Sequence, residues 1–319
     1  MNRQLCSWIA IPMALLGGAA LLRAQTYTFS TFTVSGAAPA TNQSLGVQDI
    51  NNAGVINGWL IDTSNATEAW QRGVNGNITV YIDPLNTGTP SYTAAYGINN
   101  EGVSVGIFTD TAAGNYPGYF YTSKGQFVTF NLPDQPAGTA TFLEGINDHA
   151  GQYCGSIGTP PGYNYETFFS FSGKNQIIAV NGSTSSGCAS LNDQNAAVGY
   201  YEDSNGVDHG WLYNPSTGLF TTIDVPGAAT VPGTAPCWGS GIAGTVVIGI
   251  NNKGMISGHY WDTSYNSHGF VRTPGGKYYT INVPGAYETG GGGINDNGVV
   301  VGHYSDSACN NSGYIATPN

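Results

Sequence analysis

Six times along this 319-residue chain, an apolar residue is followed by Asn and then by Asn or Asp. These anchors are Ile50-Asn51-Asn52, Ile98-Asn99-Asn100, Ile146-Asn147-Asp148, Leu191-Asn192-Asp193, Ile250-Asn251-Asn252 and Ile294-Asn295-Asp296. Their spacings are 48, 48, 45, 59 and 44 residues. A period of roughly 40–50 residues is that of a propeller blade.

Each unit repeats one internal order. A short apolar run leads into the anchor, and a glycine follows: Gly54, Gly102, Gly254 and Gly298 suit a tight turn with positive φ. Next come an alternating run ending in Gly, a polar loop and a small-aromatic pair. A second turn such as "TPGGK" leads to a last run, "YYTINVPGA". That makes four short strands per unit, separated by turn chemistry. With no helical periodicity beyond the N-terminal apolar segment, the chain reads as all-β.

The sixth unit lacks its last run. Residues 30–37, "STFTVSGA", match "YTINVPGA" at 279–286 and "TTIDVPGA" at 221–228. Residues 294–319 and 26–49 together make 50 positions, one whole repeat. A unit shared between the ends closes a ring through strand pairing and removes two open edges. An open stack would instead want distinct caps. The expected fold is a six-bladed β-propeller with four-stranded blades, the last closed by the N-terminal strand; the alternative is an irregular β-solenoid.

Composition bounds the partners. Only 8% of residues are charged, while 40% are hydrophobic and 12% aromatic, enough for a sizeable core. Residues 1–24 read as a secretory signal, with Arg3, an apolar stretch from Trp8 to Leu22 and cleavage after Ala24. The domain is then 25–319, with 6 basic and 19 acidic residues, a net of −13. That opposes nucleic acid and anionic membranes. No second apolar segment is long enough to span a bilayer. A secreted monomer, extracellular or periplasmic, is expected.

Four cysteines follow the signal, and an even number in an exported chain suggests two disulfides. The long fourth-to-fifth spacing places an insertion at 228–244, on the face that also carries the loop holding Cys309. Cys154 and Cys188 fall on neighbouring blades at similar height. The expected pairs are Cys154–Cys188 and Cys237–Cys309.

The pattern G-I-N-[ND]-x-G-x-x-x-G, followed by His209-Gly210-Trp211 or His268-Gly269-Phe270, resembles the HAF family of probable extracellular bacterial repeat proteins. The other units carry Glu68-Ala69-Trp70, Pro117-Gly118-Tyr119, Thr167-Phe168-Phe169 and Ser312-Gly313-Tyr314 instead. The resemblance implies secretion and tandem repeats, and brings no catalytic residues.

Candidate chemistry is sparse. Asn51, Asn99, Asn147, Asn192, Asn251 and Asn295 read as turn-capping residues rather than a ring of ligand-binding amides. Asp203 with His209, and Asp262 with His268, suit hydrogen bonds across a loop base; Asp62 and Glu68 share the spacing. Asp203, Asn205 and Asp208 form a weak calcium candidate, although Asn-Gly alone explains a hairpin there. No other metal site and no cofactor is implied. His259 and His303 occupy the position held elsewhere by Trp59, Ile107, Ser156 and Tyr200, which reads as packing between blades. No nucleophile, zinc or phosphate motif is present. The expected function is a non-catalytic binding or structural module for extracellular polysaccharide or a cell-surface protein. The alternative is a polysaccharide hydrolase or lyase at the channel mouth, which would gather carboxylates from different blades into one pocket.

Overall fold

The turn glycines Gly54, Gly102, Gly254 and Gly298 have φ of 88°, 77°, 72° and 74°, in the left-handed region that glycine enters without a side-chain clash. Asn195, at φ 61°, serves the fourth unit in the same way. Each such turn joins the first two strands of a four-stranded antiparallel sheet. The computed structural model describes residues 26–38, 44–110, 114–149, 151–159, 164–171 and 173–319; the expected signal, 1–24, lies outside the described residues.

Six such sheets form the blades. Their inner strands are Leu45–Ile50, Thr93–Ile98, Ala140–Ile146, Ser185–Leu191, Thr245–Ile250 and Glu288–Ile294. Blade six continues through Val300–Ser305 and Asn311–Pro318, and its outer strand is the N-terminal Tyr27–Phe32. The pairing runs from Tyr27 opposite Pro318 to Phe32 opposite Gly313. The ring is therefore closed as a propeller, and the solenoid alternative falls. A small hairpin, Gly233–Ala235 with Gly239–Ile242, lies inside the 228–244 insertion.

One packing rule explains the shared sequence. The glycine of each second strand faces an aromatic residue of the third strand: Gly58 with Trp70, Gly106 with Tyr119, Gly155 with Phe168, Gly199 with Trp211, Gly258 with Phe270 and Gly302 with Tyr314. All six aromatic side chains are fully buried. A Cβ at any of these glycines would also collide with an inner-strand carbonyl oxygen. Burying each ring contributes about 1.5–3 kcal/mol. Blade three corrects the sequence assignment by one residue. Its aromatic is Phe168, preceded by Thr167 opposite Ser156, because Gly155 leaves the space. Two adjacent phenylalanines hid that register.

The core lies between blades rather than within any one. Leu45, Ile56 and Trp70 of blade one pack with Val301 of blade six, and Val198 and Ile223 of blade four pack with Val247 and Phe270 of blade five. Both expected disulfides are present. Cys154–Cys188 joins the second strand of blade three to the inner strand of blade four, with Cα atoms 5.7 Å apart. Cys237–Cys309, 5.4 Å between Cα atoms, ties the insertion to the loop between the second and third strands of blade six. Among the described residues, no helix is long and apolar enough to cross a membrane.

Candidate functional site

The anchor asparagines meet around the axis. Asn51 donates from Nδ2 to the carbonyl of Asn99 (3.0 Å), Asn99 to Asn147 (3.3 Å) and Asn147 to Asn192 (3.0 Å). Asn192 then donates to Asn251 (3.2 Å), Asn251 to Asn295 (2.9 Å) and Asn295 back to Asn51 (3.2 Å). Oδ1 meanwhile accepts a turn N–H, as Asn51 does from Val55 at 2.9 Å. The turn-capping role is therefore joined by a blade-to-blade latch.

A second ring closes just beyond the first. The backbone N–H of Asn52, Asn100, Asp148, Asp193, Asn252 and Asp296 each reaches the side-chain oxygen of the next blade's equivalent residue, at 2.7–3.1 Å. Each Asp of this ring also accepts from an amide: Asp148 from Asn100, Asp193 from Asn252 and Asp296 from Asn52. A recess of about 60 Å³ lies against the two rings.

Toward the other face the axis widens, and the cause is a bulge in every inner strand. Register shifts leave Gln48, Glu144, Ala189 and Ile248 unpaired, and Tyr96-Gly97 and Gly292-Gly293 likewise. A bulge re-aims the side chain it carries. Five of these positions, Gln48, Tyr96, Glu144, Ala189 and Ile248, line a chamber of about 390 Å³. Trp59, Ile61, Thr67, Tyr92, Tyr200, Val246 and Asp49 complete its wall, and Asp49 also borders the recess at the rings. A side pocket of about 150 Å³ shares Tyr96, Glu144 and Tyr200 with it and adds Ser156 and Tyr165.

Trp59, Tyr200, Ser156, His259 and His303 all border axial cavities. The second-strand position assigned to packing between blades thus also lines cavities, while Ile107 is fully buried and His259 Nδ1 meets the Gly291 carbonyl of blade six at 3.3 Å. Its equivalence across the blades holds, since each residue pairs with the small residue of the third strand. Tolerance of Trp, Ser, Tyr and His there reflects a cavity wall, which has no fixed volume to fill.

Two carboxyls from different blades converge on the chamber. Burial pushes Asp49 up to about 7, against the opposing N–H bonds of Ile98 and Ile50. Burial also raises Glu144 to about 7, although the Ser156 hydroxyl donates to it at 2.6 Å. The Glu144 charge and burial in turn hold the Tyr200 phenol well above its ordinary value. Neither carboxyl was singled out from the sequence. Their signal is the reverse of the repeat: each is the odd residue at an otherwise uncharged bulge or neighbouring position.

The insertion roofs one side. The Trp238 ring packs between those of His259 and His303, each centroid 5.1 Å away. Burial lowers His259 to about 4 and His303 to about 3, so both are neutral at pH 7. Cys237 donates its N–H to Glu288 at 3.1 Å as its sulfur holds Cys309. Blade six contributes no residue to the large chamber, which belongs to blades one to five.

The remaining sequence candidates lie on loops. His268 Nε2 meets Asp262 at 3.2 Å, and His209 Nε2 stands 3.7 Å from Asp203, across the loop bases. Glu68, at the equivalent place, is raised by burial and by Asp62. Asp203 Oδ1 accepts from the N–H groups of Asn205 and Val207, as a side-chain-capped turn does. Asp208 stands on the following strand, raised to about 7 by burial and by Glu202. Among the described residues, no group of three or more His, Cys, Asp or Glu is set to hold a metal.

No known family profile matches the chain, and no curated protein matches it significantly in sequence. Solved structures do match in fold. AofleA from Arthrobotrys oligospora aligns with TM-score 0.56 and 10% identity, over 91% of this chain and 86% of its own. The fungal lectin from Aleuria aurantia, described as a six-bladed β-propeller with a novel fucose recognition mode, gives 0.50 and 11% over 92% of each chain. TolB from Acinetobacter baumannii gives 0.51 and 8%, over 82% of this chain and 63% of that one. At these identities the likeness is one of fold.

Proposed function

We propose that this chain is an exported, non-catalytic binding protein that takes a carbohydrate into its axial chamber. The observation that carries this is the wall itself: Trp59, Tyr92, Tyr96 and Tyr200 share a space of about 390 Å³ with Gln48, Thr67 and two carboxyls. Rings offer flat apolar faces for a sugar ring, and the polar groups fix its orientation; the volume falls in the range of small-ligand sites, roughly 300–1,000 Å³. Fucose recognition by the Aleuria aurantia lectin, on the same kind of fold, supports the reading. Export is supported by residues 1–24 and by two disulfides, which persist in oxidising compartments. Membership of the HAF repeat family is proposed on the repeated G-I-N-[ND] units.

The hydrolase or lyase alternative draws on the same two carboxyls. A glycosidase needs one acid and one base, with environments that push their pKa values apart. Asp49 and Glu144 are moved the same way, to about 7, by the same cause. That favours binding. The test is a glycan array followed by calorimetry on the wild type and on Trp59→Ala and Tyr200→Ala. Binding lost in both variants, with their melting retained, is expected. An array without a single ligand would overturn the reading, and release of new reducing ends would replace it with the hydrolase.

A further inference from the structure

The chamber gathers two carboxyls and no basic side chain. None of the six basic residues in 26–319 (Arg72, Lys124, Lys174, Lys253, Arg272 and Lys277) lines it. The ion pairs among the described residues involve His209 and His268 on the outer loops. Glu144 receives one hydrogen bond from a side chain, that of Ser156, and Asp49 is held by two backbone N–H groups. A buried carboxyl without a counter-charge stays partly protonated rather than fully ionised. A positively charged group from outside the chain would favour its ionised form.

The rest of the wall says what kind of group that is. Aromatic rings attract a cation placed within about 6 Å of their centres, most strongly when the site is dry. Rings and carboxyls together suit an alkylammonium, and they repel uronic acids, sulfated sugars and phosphates. Resting on the carbohydrate reading above, we infer that the ligand is an amino sugar with a free ammonium group, seated among Trp59, Tyr92, Tyr96 and Tyr200 and against Glu144 and Asp49.

Titration gives a readout that a neutral sugar would not. The groups facing Glu144 are Tyr96, Tyr165, Tyr200 and Ser156 in its side pocket, and Tyr92 and Asp49 in the chamber; none is cationic. At pH 7 a carboxyl raised to about 7 is half protonated. An arriving ammonium lowers that value and expels the proton, on the order of half a proton per carboxyl engaged. Calorimetric heats measured in buffers of different ionisation enthalpy report it directly.

The experiment titrates the full chain with glucosamine oligomers, with their N-acetylated counterparts and with tetramethylammonium, whose charge does not titrate. Expected are binding of the free-amine oligomers at least about tenfold tighter than of the acetylated ones, proton release on binding of tetramethylammonium, and about tenfold or greater loss in Glu144→Gln. Tetramethylammonium should bind weakly, and more weakly still at pH 5.5 than at pH 8. Glu144→Gln is nearly isosteric, so its fold is checked by melting, and Asp49→Asn serves as a second variant. Equal binding of acetylated and free-amine oligomers, without proton release, overturns the inference and leaves the carbohydrate reading standing. Binding of tetramethylammonium as tight as that of the oligomers keeps the ammonium site and overturns the sugar. An absence of binding by all three probes overturns the inference.

Discussion

Asn251 shows how much one amide does. Its Oδ1 accepts from Lys253 and Met255 in its own turn, while Nδ2 donates to Asn295 of the next blade. Asp would cap the turn equally well, but would face the Asn295 carbonyl with an acceptor. Asn251→Asp should therefore cost more than about 2 kcal/mol by denaturant unfolding, the penalty of leaving buried polar groups opposed. A turn role alone predicts almost no change. Glu144 supplies a second test. Its value rises from an ordinary 4.5 to about 7, so between those limits the folded state binds more protons than the unfolded one. Stability contributed by this group is then present below pH 4.5 and lost as pH climbs toward 7, at up to about 1.4 kcal/mol per pH unit. Melting temperatures of the ligand-free protein should fall over that window, and Glu144→Gln should flatten the fall. Asn251 was legible in the sequence because it recurs in every unit. Glu144 was not, because it occupies a place where the other units put Gln48, Tyr96, Ala189, Ile248 and Gly292. Repetition exposes what the blades have in common, and a binding site is made of what they do not.

At the scale of the element, the blade is a sandwich of one aromatic ring and one missing side chain. Gly199 has no room for a Cβ, which would fall on the Gly187 carbonyl and on the Trp211 ring. Gly199→Ala should lower stability by about 1–3 kcal/mol, the range for overpacked cores, or abolish folding, as thermal unfolding would show. The Gly-then-aromatic pattern was readable wherever one aromatic stood alone. It slipped at Phe168-Phe169, since a strand's register is set by its neighbour and not by its own text. The inner-strand bulges were unreadable for a related reason. A bulge inserts one residue between two paired ones, and an anchor that follows at fixed distance hides the insertion. The insertion, by contrast, was visible as an excess of length, and its cysteine foretold where it would be pinned. Each disulfide stabilises by about 4 kcal/mol in the chain-entropy picture, for separations of 34 and 72 residues.

For the whole molecule, closure is the decisive act. Removing residues 26–37 would strip blade six of Tyr27–Phe32 and bare the edge of Asn311–Pro318. The truncated chain should aggregate, or unfold without a single cooperative transition, when followed by light scattering and calorimetry. A monomer with unchanged melting would refute the closing role. That role was legible because the missing run and the surplus run spell nearly the same words. The clasp also has a consequence in time. Thr28 hydrogen-bonds Asn319 across 291 residues of chain, so a strand made early is paired by one made much later. At roughly 5–20 residues per second it waits some tens of seconds with Phe29 and Phe32 uncovered. In a crowded compartment the vacancy beside Pro318 is open to the same strand of another newborn chain. Two molecules that traded clasps would each still hold six blades and a chamber, and would part only by unravelling both.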